Sequence, residues 1–168
     1  EIIVETFRST TCTKINGKAK MMVVTASRPA AVLYFLEVKR YAAEMGYDDV
    51  KPMVAFSGEV TLDDETYTES GMNIRSDGSH ITEAQTKQEF HDNFNILIVA
   101  EKYQTGFDQP KLCAMYVLKK LRNVNAVQTL SRLNRICPPF DKKTFDKVTS
   151  GSFFQKTTYQ QAKNPKKG

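Results

Sequence analysis

Four short runs of apolar, β-favouring residues constrain the fold of this chain more than any other feature. They are residues 20–27 (KMMVVTAS), 52–56 (PMVAF), 95–100 (NILIVA) and 112–118 (LCAMYVL). None of them alternates apolar with polar positions. A strand that is apolar at consecutive positions has to be covered on both faces, which is the condition of a parallel sheet flanked by helices. The segments between the runs supply those helices. Pro29 suits a first helical turn, residues 30–45 are rich in helix formers, and Gly46 is a stop signal. Residues 85–92 and 123–135 read as two further helices, the second ended by Pro138-Pro139. Residues 59–84 are polar, acidic and rich in Gly, Ser, Thr and Asp, and read as a long irregular insertion. The rhythm predicts an α/β domain with a mostly parallel sheet. Ligands of such sheets bind at the carboxyl ends of the strands. The loops after residues 26, 56, 100 and 118 are therefore where function is expected.

Length and composition narrow the classes further. At 168 residues the chain is the size of one domain. It holds no apolar run near the roughly 20 residues that span a bilayer, so no membrane partner is expected. The start, Glu1-Ile2-Ile3-Val4-Glu5, lacks the basic region of a signal peptide and reads as a cut inside a longer protein. Three cysteines, Cys12, Cys113 and Cys137, form no close pair, which argues against a disulfide framework or a zinc knuckle and for reduced thiols in the cytoplasm. His80 and His91 lie far from them, and no metal ligand set is expected.

The net charge of +5 is unevenly spread. Residues 57–101 hold ten Asp/Glu against two Lys/Arg, whereas residues 111–168 hold thirteen Lys/Arg against two Asp. A basic C-terminal half suits a polyanion partner, although a solvated lysine-rich tail explains part of it.

Three constellations carry chemistry. In the helix 123–135, Ala126, Leu130 and Leu133 share one face, and Gln128, Arg132 and Arg135 share the opposite one. Two guanidinium forks and an amide on one face suit a phosphate group, although a solvated face with two surface arginines has the same geometry. The second constellation is Ile98-Val99-Ala100-Glu101-Lys102-Tyr103-Gln104-Thr105-Gly106-Phe107-Asp108-Gln109-Pro110, a buried strand entering a loop with one flexible glycine and an aspartate. The third is Val23-Val24-Thr25-Ala26-Ser27-Arg28, a strand whose end offers hydroxyls and a guanidinium to a backbone phosphate, with Ser27 equally suited to capping the next helix. The turn Ser57-Gly58 after the second run could serve the same side.

Gln-x-x-Ser-Arg-x-x-Arg resembles motif VI of superfamily 2 helicases and translocases, with Ser131 in place of the commoner glycine. Thr105-Gly106-Phe107-Asp108 resembles motif V, and Thr25-Ala26-Ser27-Arg28 resembles motif IV. In order, MVVTASRPAAVLY, VAFSGEV, NILIVAEKYQTGFDQP and VNAVQTLSRLNR are similar to the second motor lobe of the restriction (R) subunit of type I restriction-modification enzymes, over residues 15–145. The resemblance implies a RecA-like lobe of an ATP-driven double-stranded DNA translocase and restriction endonuclease, working with ATP and Mg²⁺ beside modification and specificity subunits. It implies arginine fingers at Arg132 and Arg135, with Gln128 positioning nucleotide or water. It places Gly106 and Asp108 at the nucleotide, and Thr25, Ser27, Arg28, Ser57 and Thr105 at the DNA backbone. No Gly-x-x-x-x-Gly-Lys-Ser/Thr loop is present, Asp63-Asp64-Glu65 sits in the polar insertion rather than at a strand end, and no nuclease cluster is evident. By the resemblance those parts belong to segments N-terminal to this chain, which alone is expected not to hydrolyse ATP. The motor lobe is expected over residues 1–147, with a basic linker or disordered tail at 148–168. Two other readings remain open: a non-catalytic nucleic-acid-binding module, and a subunit-docking domain using the acidic 57–101 stretch.

Overall fold

The computed structural model describes residues 1–103, 107–119 and 137, together with the backbone of two strands at 146–149 and 155–158. The chain opens with a short helix, α1 (Ile2–Thr6), that runs into a π-helical turn at Phe7–Thr11. Strand β1 (Lys20–Val24) leads into the 18-residue helix α2 (Arg28–Met45), and β2 (Pro52–Ala55) follows. A hairpin of β3 (Glu59–Leu62) and β4 (Glu65–Thr68) comes next, then the single-turn helix α3 (Glu69–Met72) and helix α4 (Thr86–Asp92). Strands β5 (Ile96–Val99), β6 (Leu112–Val117), β7 (Asp146–Thr149) and β8 (Gln155–Thr158) complete the sheet.

The main sheet has the order β2-β5-β1-β6-β7-β8. Its neighbours are parallel except for β7 and β8, which run antiparallel. Alternate residues of β1, β2, β5 and β6 enter different cores, which is why these strands read as unbroken apolar runs. Met21, Val23, Val54, Ile96, Ile98, Ala114 and Tyr116 pack with α1, the π-helical turn and α2 through Val4, Phe7, Val32 and Phe35. Met22, Val24, Met53, Ala55, Leu97, Val99, Met115 and Val117 pack on the other face with Ile81, Phe90 and Phe107. The helix α2 is bounded as its sequence predicts. Ser27 is its N-cap, accepting the Ala30 N–H at 3.3 Å, and Gly46 closes it at φ +67°, where a Cβ would be strained. Cys12, Cys113 and Cys137 form no disulfide, and no helix among the described residues is long and apolar enough to cross a membrane.

Two regions differ from expectation. Residues 73–84 follow the expected irregular course, but within 59–72 Glu59–Leu62 and Glu65–Thr68 pair across a tight turn in which Asp63 and Asp64 both adopt left-handed backbone, at φ +48° and +66°. That is the backbone of a two-residue type I′ hairpin turn, which aspartate tolerates better than most residues. The acidic composition masked the hairpin alternation. Towards the C-terminus, Asp146-Lys147-Val148-Thr149 pairs with β6 as a parallel strand although it lacks an apolar run. The expected helix 123–135 lies outside the described residues, as do most of the basic residues beyond 119.

Candidate functional site

The loops that follow β1, β2 and β5 meet at the carboxyl edge of the sheet and are bonded to one another. After β1, Thr25 is fully buried, and its N–H and hydroxyl both lie 2.9 Å from the Val99 carbonyl, tying the ends of β1 and β5. Ser27 is partly exposed at the start of α2. Arg28 is exposed and reaches the next loop, its Nη1 donating to the Ser57 carbonyl at 2.9 Å. Gly58 lets that contact form. It has φ +75°, and a Cβ there would stand 3.0 Å from Arg28 Nη1. Ser57 itself is exposed beside it.

The described start of the loop after β5, residues 101–103, is held by several contacts. Glu101 and Tyr103 both hold positive φ, +58° and +60°, a conformation that costs a non-glycine residue about 1–2 kcal/mol. Lys102, between them, turns inward and donates to Glu69 Oε2 at 2.6 Å and to Glu83 Oε2 at 2.8 Å. Burial pulls the Lys102 ammonium down, but these two hydrogen bonds outweigh it and leave its pKa above the ordinary lysine value. Burial, then the charge of Glu69, push the Tyr103 phenol up. The Tyr103 and Phe107 rings lie 5.0 Å apart, and Phe107 in turn packs 6.1 Å from Phe90 on α4. The two ends of the loop are thus pinned together over the second core. Asp108 is exposed just beyond. After β6, the Leu118 N–H donates to the Val24 carbonyl at 2.7 Å, so this chain segment leaves the sheet beside the first loop.

Of the residues singled out from sequence, Thr25, Ser27, Arg28 and Ser57 stand on this edge, whereas Asp108 is exposed on the crossover to β6, whose next residues Gln109 and Lys111 bond to His91. Thr105, Gly106, Gln128, Arg132 and Arg135 lie outside the described residues. Two residues that the sequence did not single out also belong here, Glu69 and Lys102. Glu69 was one of ten acidic residues in a polar stretch, and nothing in its local sequence marks it as buried.

Residues 79–150 match the family described as "Type I restriction enzyme subunit R domain 3". Over 122 residues, 72% of this chain, the sequence is 34% identical to a Methanocaldococcus jannaschii protein named as the type I restriction enzyme MjaIXP endonuclease subunit. The chain spans 11% of that relative's length. Among solved structures, the fold is similar to the C-terminal part of the Fun30 ATPase domain, at a TM-score of 0.51 and 12% identity, covering 88% of this chain and 40% of that one. That likeness speaks for fold alone. The mostly parallel sheet with helices on both faces is a RecA-like α/β fold. Within that class the chain belongs with the R subunits of type I restriction enzymes.

Proposed function

We propose that this chain is the second motor lobe of an ATP-dependent double-stranded DNA translocase and restriction subunit. The observation that carries the reading is the meeting of three motif-bearing loops at one sheet edge, with Arg28 bonded to the Ser57 turn and Thr25 bonded to the end of β5. In this reading Ser27, Arg28 and Ser57 present hydroxyls and a guanidinium to the DNA backbone, joined by Thr105 from the loop after β5. Thr25 supports them from beneath, its hydroxyl already engaged. Gly106 and Asp108 face the nucleotide.

Arg132 and Arg135 act as arginine fingers on a triphosphate held by a first lobe, and Gln128 positions nucleotide or water. Charge develops on the transferred phosphoryl group as it is cleaved, and fingers of this kind are worth on the order of 10³–10⁵ in rate. ATP and Mg²⁺ would be shared with that first lobe. Among the described residues no three His, Cys, Asp or Glu side chains converge to hold a metal, so this reading assigns the ion's ligands to the partner lobe. Opening and closing of the cleft would step the subunit along the duplex, in the cytoplasm and beside modification and specificity subunits.

The division of labour is directly testable. The pure 168-residue chain, lacking a Walker A loop, should hydrolyse no ATP with or without DNA. Measurable turnover by this chain would refute it. A non-catalytic DNA-binding module would instead bind DNA in a salt-dependent way within a full-length subunit that shows no DNA-stimulated ATPase.

A further inference from the structure

Glu69 is the first residue of α3, its side chain is fully buried, and three separate elements use it. Its Oε2 accepts the Phe56 N–H at 2.9 Å and the Lys102 ammonium at 2.6 Å. Its Oε1 accepts the Thr86 hydroxyl at 2.6 Å. Phe56 immediately precedes the Ser57 turn, whose carbonyl holds Arg28. Thr86 opens α4. Lys102 stands between two left-handed residues, three positions before Thr105 and six before Asp108. A continuous bonded path therefore runs from Arg28 through the Ser57 turn and Glu69 to Lys102. It joins the loops after β1, β2 and β5 through the hairpin-and-helix segment between β2 and β5.

We propose that the Glu69–Lys102 pair is a positioning device that makes the DNA-facing turn at Ser57 and the loop after β5 move as one body. This inference rests on the motor reading of the chain and deepens it. Stability is a poor explanation for the pair, because a buried ion pair is often matched or exceeded by an apolar replacement. Orientation is a better one. The ammonium bridges one fully buried carboxylate and one exposed carboxylate, Glu83, and holds a loop whose backbone is otherwise disfavoured on both sides of it. Strained backbone that its surroundings hold in place is characteristic of segments with a mechanical or binding role. With the clamp intact, a shift of the nucleotide-side loop is passed to the Ser57 turn. Without it, the same shift is absorbed locally.

The test uses the full-length subunit assembled with its partner subunits, comparing Lys102→Met, Lys102→Arg and the double variant Glu69→Gln/Lys102→Met. The double variant removes both charges while the amide oxygen still accepts from the Phe56 N–H and the amide nitrogen donates to the Thr86 hydroxyl oxygen, so it separates lost coupling from a buried unpaired carboxylate. Readouts are DNA affinity, ATPase rate, and base pairs moved per ATP. Lys102→Met and the double variant should keep DNA affinity within about twofold, while base pairs moved per ATP fall on the order of tenfold. Lys102→Arg, which keeps the charge, should recover most of the coupling. Wild-type coupling in the double variant would overturn the proposal, as would a Lys102→Arg variant as uncoupled as Lys102→Met. If instead the wild-type complex shows no DNA-stimulated ATPase and Arg132→Ala changes nothing, the motor reading itself fails, and this inference with it. A working wild type, a dead Arg132→Ala and an unaffected double variant would overturn this inference alone.

Discussion

The side chain of Asn73 and the backbone of Val54 exchange two hydrogen bonds, Val54 N–H to Oδ1 at 2.9 Å and Nδ2 to the Val54 carbonyl at 2.7 Å. Val54 is at the centre of β2, an edge strand of the sheet, so the carboxamide takes the place that a neighbouring strand would fill. One residue pair further along, Glu69 accepts the Phe56 N–H on the same open edge. The segment between β2 and β5 is thus a cover for an edge that would otherwise expose unpaired main-chain groups.

Replacing Asn73 by Ala leaves two buried backbone groups without partners, each costing about 1–3 kcal/mol. Denaturant unfolding of this chain should show a loss of about 2–4 kcal/mol for Asn73→Ala. Asn73→Asp, which can accept but not donate, should fall short of the wild type as well. An unchanged midpoint in both variants would show that the cover is dispensable.

Arg28 is expected to act at DNA rather than in the core. It is exposed and its guanidinium donates to the Ser57 carbonyl of a surface turn, so Arg28→Ala should cost little stability. In the full-length subunit it should weaken DNA binding and reduce the slope of log affinity against log salt by about one. Salt titrations that superimpose for wild type and variant would remove Arg28 from the interface.

Lys20 gives a pH signature at the opposite edge of the sheet. It is buried at the start of β1, its ammonium donating to the Phe94 carbonyl and facing the Phe90 ring at 5.2 Å. Burial, with the nearby Lys111 charge second, pulls its pKa from 10.5 to about 8. Between these values the unfolded chain holds a proton that the folded chain has released, so this group makes stability rise with pH across that window. Unfolding free energies of wild type and Lys20→Met, measured from pH 7 to 10, should diverge in favour of the wild type above pH 8. A difference that stays constant with pH would contradict the burial of this ammonium.

Much of the scaffold was legible because its causes are local and periodic. Unbroken apolar runs specify strands with two covered faces, and Ser27 and Gly46 bound α2 by backbone chemistry that sequence displays directly. Strand ends in turn locate Thr25, Ser27, Arg28 and Ser57 at one edge. What escaped was set by partners distant in sequence. The hairpin β3–β4 has only four residues per strand and an acidic surface, so composition hid its alternation. Strand β7 owes its place to pairing with β6 rather than to apolar content. The burial of Glu69 depends on Lys102, 33 residues away, and no local pattern announces it.

In the proposed motor this lobe completes an ATPase site begun by another. The most direct measurement is DNA-stimulated ATP hydrolysis by the full-length subunit in its complex, with Arg132→Ala and Arg135→Ala beside wild type. Loss of a finger should lower the rate by about 10³-fold or more and abolish translocation, while DNA binding stays near wild type. Full ATPase activity in both variants would contradict the role assigned to these arginines, and with it the motor reading of the chain.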